Sequence, residues 1–220
     1  MRYATPAILL LATALLGGCL TLQPPAITTN SVSLDNIGRR GFSFPVPPGY
    51  QASTPEEFAT LMGEFGSSFT QSHLRMLKEF QQTHTLSGKS VIIYRKEAIA
   101  SGKPDTVVNF TYNLQSGLPP FDRYPATANQ VLAKEKNRIT AEVKQEGQII
   151  SSESVTINGR LWVKIASTVS NSKGQTVGYY YTMFTSGDLN DIYQFQALNL
   201  GGKLSDAVNI VDYMAEHMEI

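Results

Sequence analysis

The chain holds one cysteine, Cys19, in 220 residues. It can form no internal disulfide, so the fold has to be held by its apolar core. Charge of either sign is not in excess, since 18 Lys and Arg face 18 Asp and Glu. A basic field of the kind that binds nucleic acid is therefore absent. Histidine is scarce, with His73, His84 and His217 the three examples, and none stands at metal-ligand spacing from another or from the cysteine, so no metal is expected. No apolar run approaches the roughly 20 residues that a membrane-spanning helix needs. Sequence signatures of catalysis are missing as well. There is no Gly-x-Ser-x-Gly elbow. Gly88-Lys89-Ser90 has the ending of a phosphate loop but carries Thr83 where that loop requires glycine, and a strand pattern follows where a helix is needed. Asp188 and Asp191 lack the alternation of a calcium loop. Asn109-Phe110-Thr111 matches a glycosylation triplet but lies inside a strand pattern. No catalytic residue and no cofactor is expected, and the chain reads as a non-enzyme.

What the N-terminus does contain is a single Arg2 followed by a nearly uncharged run, Ala7 to Leu16, of the length of an export-signal core. The run closes on Leu16-Gly17-Gly18-Cys19, which resembles the lipobox of bacterial lipoproteins: an aliphatic residue, two small residues, then the acceptor cysteine. Small neighbours let a signal peptidase reach the Gly18–Cys19 bond, and a free thiol is needed to take up the diacylglyceryl group. The resemblance implies a signal peptide at 1–18, cleavage between Gly18 and Cys19, and a mature protein whose Cys19 carries three acyl chains, palmitate among them. Two such hydrophobic signals already suffice for stable attachment to a membrane. Leu20 in place of an aspartate implies sorting to the outer membrane, on its periplasmic face. Residues 19–40 are rich in Thr, Ser, Asn and Pro without useful periodicity, and read as the lipidated end and a flexible tether reaching roughly 25 Å. Residues 41–220 read as one α+β domain, large enough for a sizeable core.

Along that domain the period-two apolar positions Phe42, Phe44 and Val46 predict a strand ended by Pro47-Pro48-Gly49. Thr54, Pro55 and Glu57 form a capping box that starts a helix at Pro55. Gly63 and Gly66 are expected to bend or break it, and Leu74, Leu77 and Phe80 continue the helical spacing. Strands follow at "SVIIYRK" and "TVVNFTYNL", joined by a long loop over 97–104. A second capping box, Thr127 and Gln130, predicts a helix over about 128–146, with Val131, Leu132, Ile139 and Val143 as its stripe and Gly147 at its left-handed end. The mixed-sign cluster Lys134, Glu135, Lys136 and Arg138 reads as its solvated face. Four strands then make a meander with turns at Asn158-Gly159, 171–174 and 187–191. For the first turn a three-residue loop, Asn158 to Arg160, is preferred because it opposes Ile157 to Leu161 and Val155 to Val163, apolar to apolar. Leu204, Val208, Val211, Ala215 and Met218 form the stripe of a closing helix.

The opening "GFSFPVPPGY" strand, a helix before a meander with an Asn-Gly corner, and the closing helix together resemble the PsbP/DcrB-like fold family over about Gly41–Met218. The resemblance implies a single mostly antiparallel sheet of six to seven strands covered by helices. Members of that family include an extrinsic photosystem II subunit, a Ran-binding nuclear import factor and bacterial lipoproteins. They share no catalytic motif and act mostly by docking to partners, so an envelope protein partner is implied here. The meander is rich in aromatics: Trp162, Tyr179, Tyr180, Tyr181, Phe184, Tyr193 and Phe195. Core packing with hydroxyls at the rim is one use for them. The other is an exposed patch, Trp162, Tyr179, Tyr180, Tyr181 and Tyr193, for protein–protein interaction. Two roles follow as expectations. One is a non-enzymatic docking or assembly module on the envelope membrane. The other is a lipoprotein enclosing a small apolar ligand.

Overall fold

A computed structural model describes residues 25–36, 39–65, 74, 77, 90–102, 105–113, 118–142, 147–170, 176–186, 191–201 and 203–220. The expected signal and lipobox, His73, His84, Gly88, Lys89 and Asp188 lie outside the described residues, as do the expected helical continuation at Phe80 and residues 114–117, 143–146 and 171–175. Among the described residues are ten strands in two sheets and four helices. Seven strands form one antiparallel sheet in the order β4 (Gln51–Ser53), β5 (Ser90–Tyr94), β6 (Thr106–Asn113), β10 (Asp191–Asn199), β9 (Thr176–Ser186), β8 (Arg160–Ser170) and β7 (Gly147–Ile157). The fold class is the expected mixed α+β one, with a mostly antiparallel sheet.

One layer was not expected. β1 (Ala26–Ile27), β2 (Ser31–Asn36) and β3 (Arg39–Pro45) make a separate three-stranded antiparallel sheet, so the segment read as a tether up to residue 40 is folded chain from Pro25. Val32 and Leu34 pair with Phe44 and Phe42 and are buried with them on the large sheet. Two apolar positions in a Ser- and Asn-rich stretch carry too little periodicity to be seen without the surface that covers them. The expected strand at Phe42–Val46 therefore belongs to this small sheet and not to the large one. At its far border Ser43 and Glu219 exchange backbone hydrogen bonds of 2.9 and 2.8 Å, which ties the end of the chain to β3.

The first capping box forms as read: the Glu57 amide donates to Thr54 Oγ1 at 3.2 Å and the Thr54 amide to Glu57 Oε2 at 2.9 Å, opening α1 (Pro55–Phe65). Gly63 lies within this helix without ending it. The loop expected over 97–104 contains instead a short helix, α2 (Lys96–Ser101), closed by Gly102 at a φ of 64°. The second capping box is corrected. α3 spans Pro125–Glu142, with Pro125 at the first helical position, where its missing N–H costs nothing. Thr127 is inside the first turn, its amide donating to the Tyr124 carbonyl at 2.8 Å. Gly147 opens β7 and does not close the helix.

The Asn-Gly corner is the second correction. Ile157 pairs with Arg160, and Thr156 with Leu161, across a two-residue turn in which Asn158 and Gly159 have φ of 49° and 73°. Left-handed conformations at both positions define the turn that matches the twist of a hairpin. The polar-to-apolar pairing is tolerated because β7 is the edge strand: Ser154 and Thr156 are exposed while α3 covers Val163 of β8. A register shift between Ile149 and Ser151 lets Ile149 pack under α3 while Val155 and Ile157 pack on the opposite face, because a bulge inverts the alternation. Asn158 also donates from Nδ2 to the Glu216 carbonyl, satisfying one of the last acceptors of the closing helix, α4 (Leu204–Glu216).

The large sheet is thus covered on both faces. One face carries the small sheet and α4, whose Ala207, Val211, Met214 and Ala215 are buried. Gly178 of β9 is where α4 comes closest, since a Cβ there would stand 2.9 Å from the Leu204 Cα. The other face is covered in two places: by α1 and Leu77 over Ile92, Val107 and Leu198, and by α3 and Phe121 over Val163, Ile165 and Met183.

Candidate functional site

Three of the five aromatic residues expected as a partner surface, Trp162, Tyr180 and Tyr193, are in the core. Trp162, Tyr180 and Tyr193 are 1%, 2% and 0% exposed, and they point at the small sheet and α4. The reason is the layer supplied by β2 and β3: Phe42 and Phe44 come down onto the centre of the large sheet. There Phe110 meets Phe44 at 4.7 Å, Phe195 at 4.8 Å and Phe42 at 5.0 Å between ring centroids. Trp162 stacks beyond them on Phe195 at 6.4 Å. Edge-to-face and offset packing at these separations is what ring quadrupoles favour. The core-packing reading of these three residues is therefore the correct one. Tyr179 and Tyr181 lie in β9, and their side chains are outside what the structure describes.

Polar chemistry on this face concentrates at one point. The Asp212 Oδ1 of α4 accepts hydrogen bonds from Lys164 Nζ and from the Tyr180 hydroxyl, each at 2.8 Å. Lys164 and Tyr180 come from adjacent strands, β8 and β9, and α4 lays the carboxylate across both. Burial, and then the neighbouring Asp212 carboxylate, push the Tyr180 phenol above its ordinary range. A phenol so held is a donor to Asp212 and not an acid for solution chemistry. The arrangement fixes the rotation and height of α4 on the sheet.

A second constellation lies at the end of the sheet where β4, β5, β6 and β10 meet. The Arg95 guanidinium sits 4.7 Å over the Tyr50 ring, with Nε 3.6 Å from the Asp105 carboxylate. Asn199 Nδ2 donates to Thr106 Oγ1 at 2.7 Å, and the Lys203 amide donates to Asn199 Oδ1 at 2.9 Å. Burial, with Asp105 adding to it and Arg95 opposing, pushes Tyr50 up to about 12. Tyr94 and Tyr112 are raised by burial as well. A folded-state value above the unfolded one, near 10, means that the folded protein holds its protons more tightly. The stability these phenols contribute is complete below about pH 10 and is lost as pH rises from there toward 12. Urea denaturation is therefore expected to be flat in this respect up to about pH 9 and to weaken steeply above 10. Tyrosinate absorbance from these residues should appear only together with unfolding. Full ionisation of all ten tyrosines at pH 10.5 with the far-ultraviolet circular dichroism intact would contradict it.

The feature that sequence reasoning missed is on the opposite face. Ser90 faces Thr111 and Thr111 faces Gln194 across β5, β6 and β10, while Asn109 faces Gln196 in the next row. Ser90, Asn109, Thr111 and Gln196 are all buried, between the apolar patch under α1 and the one under α3. Ser90 Oγ, Asn109 Oδ1 and Gln196 Oε1 have no hydrogen-bond partner among the described residues. Such groups are ordinarily met by water or a ligand. The alternation of β6 and β10 was visible as a polar face, and it would be read as solvent-exposed. Asn109, noticed only for its glycosylation triplet, is 2% exposed in the sheet interior.

The remaining sites are minor. His217 ends α4 with Nδ1 2.8 Å from the Tyr213 carbonyl, and Asp191 is buried at the start of β10. Among the described residues no three metal-ligating side chains come together, and no described helix is long and apolar enough to cross a membrane. An open depression of about 280 Å³ lies along β3, lined by Leu34, Phe42, Glu219 and Ile220 among others.

No protein-family model matches the chain, and no curated protein matches it in sequence. Among solved structures it is similar to the cyanobacterial PsbP, CyanoP, of Synechocystis sp. PCC 6803, at 10% identity and a TM-score of 0.47, over 93% of this chain and 98% of that one. It is similar to the Ran-binding protein Mog1p of Saccharomyces cerevisiae at 7% identity and a TM-score of 0.46, over 88% and 96%. LpqN of Mycobacterium tuberculosis, described as involved in cell envelope biogenesis, matches at 11% identity and a TM-score of 0.42, over 80% and 81%. At this distance no residue role passes from any of them to this chain.

Proposed function

We propose that this chain is a bacterial lipoprotein, anchored through acylated Cys19 at the periplasmic face of the outer membrane, whose α+β domain docks to another envelope component and performs no chemistry itself. The observation that carries the reading is Leu16-Gly17-Gly18-Cys19 at the end of a short apolar run, seven residues before the strand that opens at Ala26. An anchor so placed delivers a domain to a membrane surface.

The apolar-ligand role loses its main support. Between the two sheets the rings of Phe42, Phe44, Phe110, Trp162 and Phe195 are packed on one another and buried, which leaves that layer no room for a ligand. Docking through the Trp162, Tyr180 and Tyr193 patch is withdrawn for the same reason, so the partner surface lies elsewhere on the domain.

The anchor is tested directly. Cys19→Ser is expected to abolish fatty-acid labelling and to move the protein from the detergent phase to the aqueous phase. Crosslinks in cells between the wild-type lipoprotein and its partner should fall with it, since the two would no longer share a surface. A Cys19→Ser protein that stays with membranes after a salt wash would overturn the assignment.

A further inference from the structure

The small sheet changes what the anchor can do. A tether from residue 20 to residue 40 would let the domain roam, but the chain is already part of the fold at Ala26, where β1 pairs with β2. Six Cα steps separate Cys19 from Pro25, so their greatest separation is about 21 Å. A domain of this length is roughly 40 Å across by the scaling of radius of gyration. The leash is therefore shorter than the body it holds.

What lies at the end of the leash is the outer face of the small sheet. The inward residues of the small sheet are Val32, Leu34, Phe42 and Phe44, all buried. The alternate positions face outward, where Ser33 stands between Ala26 and Ser43, and Ser31 opposes Pro45. These side chains are half-buried or exposed. The Ser33 hydroxyl and the arginine guanidinium groups of β3 are of the types that donate to the phosphate and ester oxygens of lipid headgroups. β2 and β3 also carry Asp35, Arg39 and Arg40, and at the border Glu219 Oε2 accepts from Ser43 Oγ at 3.3 Å. α3 lies on the other side of the large sheet, two layers away, with sheets and helices each packing about 10 Å apart.

Resting on the lipoprotein reading, we infer that the domain sits against the bilayer it is anchored in, with the outer face of β1, β2 and β3 toward the headgroups and α3 away from them. The bilayer is the occupant of that face. Any protein partner engages the sides or the α3 layer.

The test uses the full lipoprotein in phosphatidylethanolamine/phosphatidylglycerol vesicles. Because Cys19 is the only cysteine and is consumed by acylation, an introduced thiol can be labelled alone. Thr29→Cys in the exposed β1–β2 turn and Lys134→Cys on the exposed side of α3 each receive a fluorophore, and lipids with headgroup nitroxides serve as quencher. Quenching is expected to be several-fold stronger at position 29 than at 134. It should fall several-fold when twelve Gly and Ser residues are inserted after Gln23. Equal quenching at the two positions of a vesicle-bound protein would overturn the orientation, and so would full quenching at 29 with the lengthened leash. Failure of the protein to float with vesicles, or a mass without acyl chains, would overturn the lipoprotein reading itself.

Discussion

Phe110→Ala is expected to lower the free energy of unfolding by about 3–5 kcal/mol, toward the upper end of what truncating a buried aromatic costs. The ring is fully buried and contacts two sheets at once. β6 supplies it, Phe195 lies beside it on β10, and Phe42 and Phe44 close over it from β3. A cavity there cannot relax easily, because Phe195 lies on a strand paired on both sides, and β3, which carries Phe42 and Phe44, is paired with β2 and bridged to Glu219. Each ring pair adds about 0.5–1.5 kcal/mol beyond its buried area. Urea denaturation followed by circular dichroism measures the loss. Tyr124→Ala serves as control, being 57% exposed, and should change stability by no more than about 0.5 kcal/mol. A loss at Phe110 below about 1 kcal/mol would mean that the small sheet does not close on the large one.

Asp212→Ala should cost about 2–3 kcal/mol. The substitution leaves the Lys164 ammonium, with a side chain 12% exposed, and the Tyr180 hydroxyl without the oxygen both now bond. Breaking a buried pair by removing one partner usually costs about 3–5 kcal/mol. The Asp212 side chain is 26% exposed, so water can reach the site, and the expected loss is correspondingly smaller. Lys164→Met combined with Asp212→Leu should recover most of it, because replacing both charges by apolar groups removes the stranded ammonium. An Asp212→Ala protein as stable as the wild type would show that α4 is held by its apolar stripe alone, and a double variant no more stable than Asp212→Ala would show that the loss does not come from the stranded ammonium.

How far the sequence carries can be judged at particular residues. Local rules were enough where the cause is local. Thr54 and Glu57 form their reciprocal cap because both partners lie within one turn of the chain. The stripe of α4 and the four strands of the meander follow from periodicity in the same way. At Thr127 the same four-residue pattern misled, since Pro125 starts the helix two residues earlier and leaves Thr127 inside it. At Asn158-Gly159 a side-chain pairing rule was set above the backbone preference of the dipeptide, and the backbone preference governed.

The lipobox-like motif, the lack of an internal disulfide and the mixed α+β class come from composition, short motifs and period, which no folding is needed to read. Three matters depended on chain segments far apart in sequence. Val32 and Leu34 became a strand only because Phe42 and Phe44 pair with them and the large sheet covers all four. The same closure turned Trp162, Tyr180 and Tyr193 from a possible surface into core. On the other face, Asn109 and Gln196 alternate as solvent-facing residues do, yet they are buried between the patches under α1 and α3. Alternation tells which residues share a face of a strand. What is laid over that face is decided by the whole chain, because burial is a property of the layers and not of the strand.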